Sequence, residues 1–236
     1  MTRKFDAMAS AKIYSGKPEQ TPLNLAMIKF PVLCSIKYDG WRMFEYGSEV
    51  RCRSMKPPKN IPTQNKMREL FKAAAAIGMK GLDGEALVGD PLHMNAMQAS
   101  SSMFNSYHKD EDFQFFVFDS YQYAEESFER RLARVDDAVQ RLQPEFPWLQ
   151  FVEHRTIYDM DHLMQFLQEV EDMGGEGVMG RSHDGRYKMG RSTLKEGWLW
   201  ALKPYADDEG QIIGFAEELE NTNEQTTDCL LYTSDA

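Results

Sequence analysis

Apolar residues in this chain come in short runs separated by Asp-Gly, Pro and Gly punctuation. Pro31-Val32-Leu33-Cys34-Ser35-Ile36 has the length of a buried strand, and 41–46 and 49–54 follow as two more short strands with tight turns. Lys56-Pro57-Pro58-Lys59-Asn60-Ile61-Pro62 carries too many prolines for a ladder and reads as loop. Thr63 then caps a helix through Met67, Leu70 and Phe71 to about Ile77, with Gly78 as its stop. Upstream, Thr21-Pro22 opens a short helix to Ile28. Strands are predicted over 82–88, over the almost unbroken apolar run 113–118, and over 149–153, with 176–179 and 198–202 leading into two more. Met-rich 93–103 reads as helix. So does 126–142, with Phe128, Leu132, Val135, Val139 and Leu142 on one side, and 161–173, with Leu163, Phe166, Leu167 and Val170 turned inwards. A last strand is predicted over 211–215. Many neighbouring strands are joined by turns too short for a parallel crossover. The pattern therefore predicts an α+β fold of mixed or antiparallel sheets with helices outside.

Composition narrows the picture. The 42% hydrophobic content and four Trp in 236 residues are those of a globular protein with a real core. No apolar run approaches membrane-spanning length, and residues 1–6 do not read as a signal peptide. Cys34, Cys52 and Cys229 are odd in number and far apart, which argues for a reducing compartment and against a disulfide framework or zinc spacing. The net charge of -10 excludes a generic polyanion binder, but the cations are bunched. Residues 51–72 hold seven Lys or Arg against the single acid Glu69, and 181–203 hold six against Asp184 and Glu196. A locally basic cleft on an acidic body suits a phosphate-rich ligand.

Charged and aromatic residues then fall at the ends of predicted strands: Lys37-Tyr38-Asp39-Gly40-Trp41-Arg42, Asp83-Gly84-Glu85, Phe116-Val117-Phe118-Asp119, Glu176-Gly177-Val178-Met179, and Lys203. Taken alone the first is as readily a surface hairpin, since Asp-Gly is a common turn. Together they make a kit: an amine nucleophile (Lys37), carboxylates for a hard cation or a ribose hydroxyl (Glu85, Glu176), an aromatic face for a base (Phe116) and cations for phosphate oxygens (Arg42, Arg53, Lys203). Core packing rivals the stacking role for Phe116, solvated surface charge rivals the binding roles of Arg53 and Arg181, and Asp119 reads as structural. Neither a P-loop nor a Rossmann glycine pattern occurs.

In order and spacing these segments resemble the covalent nucleotidyltransferases, most closely the ATP-dependent DNA ligases of bacteriophage type, over about residues 25–220. The resemblance implies an adenylation domain over 1–206, the first strand of a truncated OB-fold over 207–225, and a non-native tail over 226–236. Lys37 matches the family's adenylated lysine. Ser35, Ile36, Arg42, Glu85, Phe116 and Lys203 fall in the nucleotide-binding set, Glu85 and Glu176 in the metal-binding pair, and Arg53, Lys56, Lys59, Arg181 and Arg191 at the DNA. ATP and Mg2+ are the implied cofactors. Nicked duplex DNA is the implied partner of a cytoplasmic monomer (in the host cell, if viral) serving replication, repair or recombination. The implied chemistry is AMP transfer from ATP to Lys37, then to a 5′-phosphate, then displacement by a 3′-hydroxyl. One departure stands out: Ala201 occupies a position where the family usually has a second lysine, two residues before Lys203. RNA ligases, mRNA-capping enzymes and a catalytically deficient binding fragment remain alternatives at this point.

Overall fold

A computed structural model describes residues 5–14 and 21–203. All of them belong to the first of two units into which the chain divides, 1–205. The expected OB-fold strand at 211–215 and the expected tail at 226–236 lie outside the described residues.

The elements in order are β1 (Ala11–Lys12), α1 (Thr21–Leu25), β2 (Val32–Ile36), β3 (Trp41–Tyr46), β4 (Glu49–Cys52), α2 (Ile61–Ala76), β5 (Leu82–Val88), α3 (Ala96–Phe104), β6 (Phe113–Ser120), α4 (Phe128–Leu142), β7 (Leu149–Phe151), β8 (Arg155–Ile157), α5 (Met160–Asp172), β9 (Val178–Ser182) and β10 (Leu199–Leu202). They form two five-stranded sheets, β1-β10-β9-β2-β8 and β4-β3-β5-β6-β7. Both are antiparallel except where β1 joins β10 and β7 joins β6. The expected α+β architecture is what the chain adopts.

Each sheet is covered by helices on one face. On the first, Val32, Cys34, Val178, Trp200 and Leu202 pack against Leu163, Phe166, Leu167 and Val170 of α5. On the second, Met43, Ala86, Phe115 and Val117 meet apolar side chains of α2, α3 and α4. Strand alternation sends the intervening residues to the other face. There Met8, Tyr187 and Leu199 pack together with Met179 and Tyr121, the buried Arg181–Asp119 ion pair crosses between the sheets, and Tyr187 hydrogen-bonds Asp83. Most of the expected nucleotide-site residues lie on this inner, polar side, but Ile36 packs on the α5 side instead.

One helix boundary and two short strands depart from expectation for local reasons. Helix α2 starts at Ile61, not Thr63, because Asn60 caps it by accepting the Thr63 N–H at 2.8 Å, and Pro62 sits in the first turn where its missing N–H costs nothing. Short β1 and β8 were not expected. Each is only two or three residues long, too brief to show a period, and each is held by pairing to β10 or β2.

Candidate active site

Strands β2, β9 and β10 lie side by side and bring one end of each to a common point. Val32, Cys34 and Ile36 face α5, so Ser35 and Lys37 face inwards. The Lys37 N–H donates to the Gly177 carbonyl at 2.8 Å, just past the β2–β9 ladder. Leu202 pairs with Val178, so Lys203 also draws level with Gly177. Gly177 has φ 145°, and a Cβ there would collide with the Leu202 carbonyl; only glycine lets the three strand ends close up. Next to it, the Glu176 carboxylate accepts from Lys37 Nζ at Oε2 and from Lys203 Nζ at Oε1. Lys37 and Glu176 keep about a fifth of their side-chain surface open, and Lys203 half. Ala201, paired with Met179, lies one inward step back from Lys203.

The second sheet contributes a lateral row. Arg42 lies opposite Glu85, and Glu85 opposite Phe116, so the three share one face. Gly40 carries the chain from Lys37 into β3; a Cβ there would come 2.7 Å from the Ala86 carbonyl, so the turn hugs β5. Burial pushes the Glu85 carboxyl up to about 8, with the Arg42 and Lys37 charges opposing the rise and those of Asp83 and Asp39 adding to it. Asp39 is likewise raised by desolvation and then by Glu176, against Lys37 and Lys203. These couplings place Glu85, Asp39, Lys37, Glu176 and Lys203 in one electrostatic neighbourhood.

A pH dependence follows. A carboxyl whose folded pKa is raised contributes stability that is complete below its ordinary value and lost as pH rises through the folded value. In metal-free buffer, Glu85→Gln is therefore expected to gain thermal stability relative to the unmodified chain between about pH 5 and about pH 9. Melting curves across that range check it; a constant difference would contradict the burial of Glu85.

Several expected site residues are already engaged within the fold. Arg42 is not a free phosphate ligand: Nε and Nη2 grip Asp83 at 2.9 and 2.5 Å, and Nη1 donates to the Met8 carbonyl at 2.5 Å. Arg181, expected at the DNA, is buried and does not lie on the surface. It is 4% exposed, donates to Asp119 at 2.7 Å and lies 4.4 Å from the Phe128 ring centroid. The same Asp119 holds Arg131 at 2.8 Å, which confirms Asp119 as structural. Phe116 is 7% exposed, and the Tyr38 ring covers it with centroids 4.5 Å apart. Arg53, Lys56 and Lys59 are exposed where expected, in and after the turn that ends β4. Arg191 is exposed, but one of its donors is bonded to the Ser10 carbonyl. A cleft of about 460 Å³ lined by Lys66, Phe113 and Trp148 shares none of these residues.

Sequence reasoning missed Tyr187, Met8 and Arg131. Tyr187 donates to Asp83 at 2.7 Å, and burial, then the Asp83 charge, keep its hydroxyl protonated. No local pattern announces a pairing across 104 residues.

Among the described residues no group of three His, Cys, Asp or Glu side chains is assembled as a metal site. Glu85 and Glu176 are nevertheless hard oxygen donors beside Lys37, and Mg2+ is commonly held by one or two carboxylates with phosphate oxygens completing its shell. By donor chemistry, two carboxylates of this kind suit that ion.

The family described as "ATP dependent DNA ligase domain" matches residues 19–201. A DNA ligase of Enterobacteria phage T3 is 39% identical over 71 residues, a stretch that is 30% of this chain and 19% of that protein. The match thus spans under a fifth of the curated relative. Among solved structures, the Chlorella virus DNA ligase-adenylate aligns with TM-score 0.69 and 24% identity, over 84% of this chain and 68% of that one. The ATP-dependent DNA ligase from bacteriophage T7, in complex with ATP, aligns with TM-score 0.60 and 18% identity over the same shares. At these identities the two structures establish the fold.

Proposed function

Since the chain belongs to the ATP-dependent DNA ligase domain family, we propose that it is the adenylation core of a DNA ligase, with Lys37 as the nucleophile that takes AMP from ATP. The observation that carries this reading is the Glu176 carboxylate shared by Lys37 and Lys203 at the joined ends of β2, β9 and β10. An ammonium is not a nucleophile, so Lys37 must first lose a proton. Its Nζ then bonds to the α-phosphorus as the bond to pyrophosphate breaks. Glu176 orients the amine beforehand, and Lys203 meets the developing phosphoryl charge. Mg2+, held by Glu85 and Glu176, would neutralise phosphate charge when bound. In the second step a 5′-phosphate oxygen at the nick displaces Lys37 from the adenylate. In the third a 3′-hydroxyl attacks that activated phosphate and releases AMP.

Exposed Arg53, Lys56, Lys59 and Arg191 support contact with duplex phosphates, which holds DNA without reading its sequence. We read nicks left by replication, repair or recombination as the substrate, met by a single chain in the cytoplasm. No helix among the described residues is long and apolar enough to cross a membrane.

The test is label transfer. ATP labelled at the α-phosphate should mark the chain, γ-labelled ATP and GTP should not, and nicked duplex DNA should discharge the mark. Labelling from GTP, or discharge by nicked RNA alone, would overturn the reading.

Ala201 gives a second handle. It is 8% exposed and on the inner face, one step from Lys203. Ala201→Lys restores a cation facing the phosphates, and the rate of labelling is expected to rise by about 10- to 100-fold. Single-turnover kinetics measure it; an unchanged rate in a folded variant would show that this position does not reach the α-phosphate.

A further inference from the structure

A closed ring of hydrogen bonds joins four residues far apart in the chain on the inner face. The Tyr187 hydroxyl donates to Asp83 Oδ2 at 2.7 Å and accepts the Met8 N–H at 3.3 Å. Asp83 takes Arg42 Nε at 2.9 Å and Nη2 at 2.5 Å, and Arg42 Nη1 returns to the Met8 carbonyl at 2.5 Å. Asp83, Met8 and Tyr187 are 0%, 1% and 4% exposed, so water does not substitute for a lost partner.

The segment that closes the ring lies ahead of the residues the family shares, 19–201. It is stitched to both sheets. Phe5 packs against Phe44, Tyr46 and Tyr121 beside the second sheet, with ring centroids 4.8–5.5 Å apart. Ala9 exchanges backbone bonds with Gly190 and Ser192, and the Ile13 N–H donates to the Ala201 carbonyl on β10. Residues 5–14 therefore brace the strand that carries Lys203 and also supply Met8 to Arg42.

Arg42 stands opposite Glu85 in the β3–β5 register. Whatever fixes the Asp83 carboxylate thus fixes the cation facing Glu85. We propose that Tyr187 is a positioning residue: acting through Asp83, and locked by Met8, it holds Arg42 in place beside Glu85 for adenylation of Lys37. This rests on the adenylation reading above.

The test compares Tyr187→Phe with the unmodified chain in single-turnover AMP labelling at saturating ATP, with adduct amplitude, rate constant and half-saturating ATP read separately. The rate constant should fall about tenfold, as expected for a lost hydrogen bond to a charged group, with amplitude and ATP half-saturation within about twofold. In an Asp83→Asn background the further loss should vanish, because the two act as one unit. Tyr121→Phe is the structural control. Its hydroxyl donates to the Glu45 carbonyl at 2.7 Å, outside the ring, so it should lower the melting temperature and leave the rate constant alone. Three results overturn the positioning role: an unaltered rate constant in Tyr187→Phe, a loss confined to amplitude, or additivity with Asp83→Asn. No adduct from the unmodified chain would instead overturn the adenylation reading itself, and this inference with it.

Discussion

Lys37→Ala should lose the AMP adduct, a fall of about 10⁴-fold or more in labelling rate, because the proposed acceptor amine is removed and Lys203, bonded to the other oxygen of Glu176, is assigned to the phosphate and not to attack. Lys37→Arg does no better, since a guanidinium keeps its proton and cannot attack. Neither change should unfold the chain. The Lys37 side chain is 23% exposed, and the bond that ties this residue to Gly177 is a backbone one. The variants should therefore melt like the unmodified chain while failing to label. Both properties are measured on one preparation, by a thermal melt and by incubation with α-labelled ATP. A labelled Lys37→Ala would mean that another amine is the acceptor.

Asp119→Ala should do the reverse, striking stability first. Asp119 is fully buried and takes Arg131 at 2.8 Å and Arg181 at 2.7 Å, both also buried. Removing it leaves two guanidiniums without their counter-charge between the sheets. Breaking a buried pair in this way costs about 3–5 kcal/mol. That is a large part of the roughly 5–15 kcal/mol that holds a typical domain together. Arg131 retains the Glu126 and Gly185 carbonyls at 2.6 and 2.9 Å, which limits the loss on that side. Arg181 is tied to the same carboxylate at 2.7 Å, so the β9 face should loosen most. Urea denaturation reads the effect as a fall in midpoint. An unchanged midpoint would mean that the cluster is dispensable to the fold.

These two residues also show what the sequence made legible. The nucleophile stood out because its companions occur in a recognisable order, and Glu176 and Lys203 do meet it although Glu176 is 139 residues away. The helices α4 and α5 stood out through their apolar period. Within α4, however, Arg131 occupies a buried position that the period assigns to no apolar residue, and only a partner on another strand explains it. Arg181 read as a surface cation for the same reason: charge suggests exposure until a buried counter-charge is known. Arg42 read as a phosphate ligand because it is a cation that ends the Lys37 motif, while its holders, Asp83 and the Met8 carbonyl, lie far away in the sequence. Strands β1 and β8 were invisible because pairing, not composition, makes them.

Ala201 connects the two levels. The sequence marks it as a missing cation, and the ladder sets it on the inner face one step behind Lys203. In the proposed reading the chain pairs the Lys37 nucleophile with a reduced set of phosphate-facing charges, and adduct formation by Lys37 is the claim on which the rest depends.

Intact mass spectrometry of the purified chain after incubation with ATP and Mg2+, followed by peptide mapping, tests that claim most directly. A single AMP should be added, located on the peptide containing Lys37 and absent from Lys37→Ala. No addition, a guanylate taken up in preference, or AMP mapped to Lys203 would contradict it.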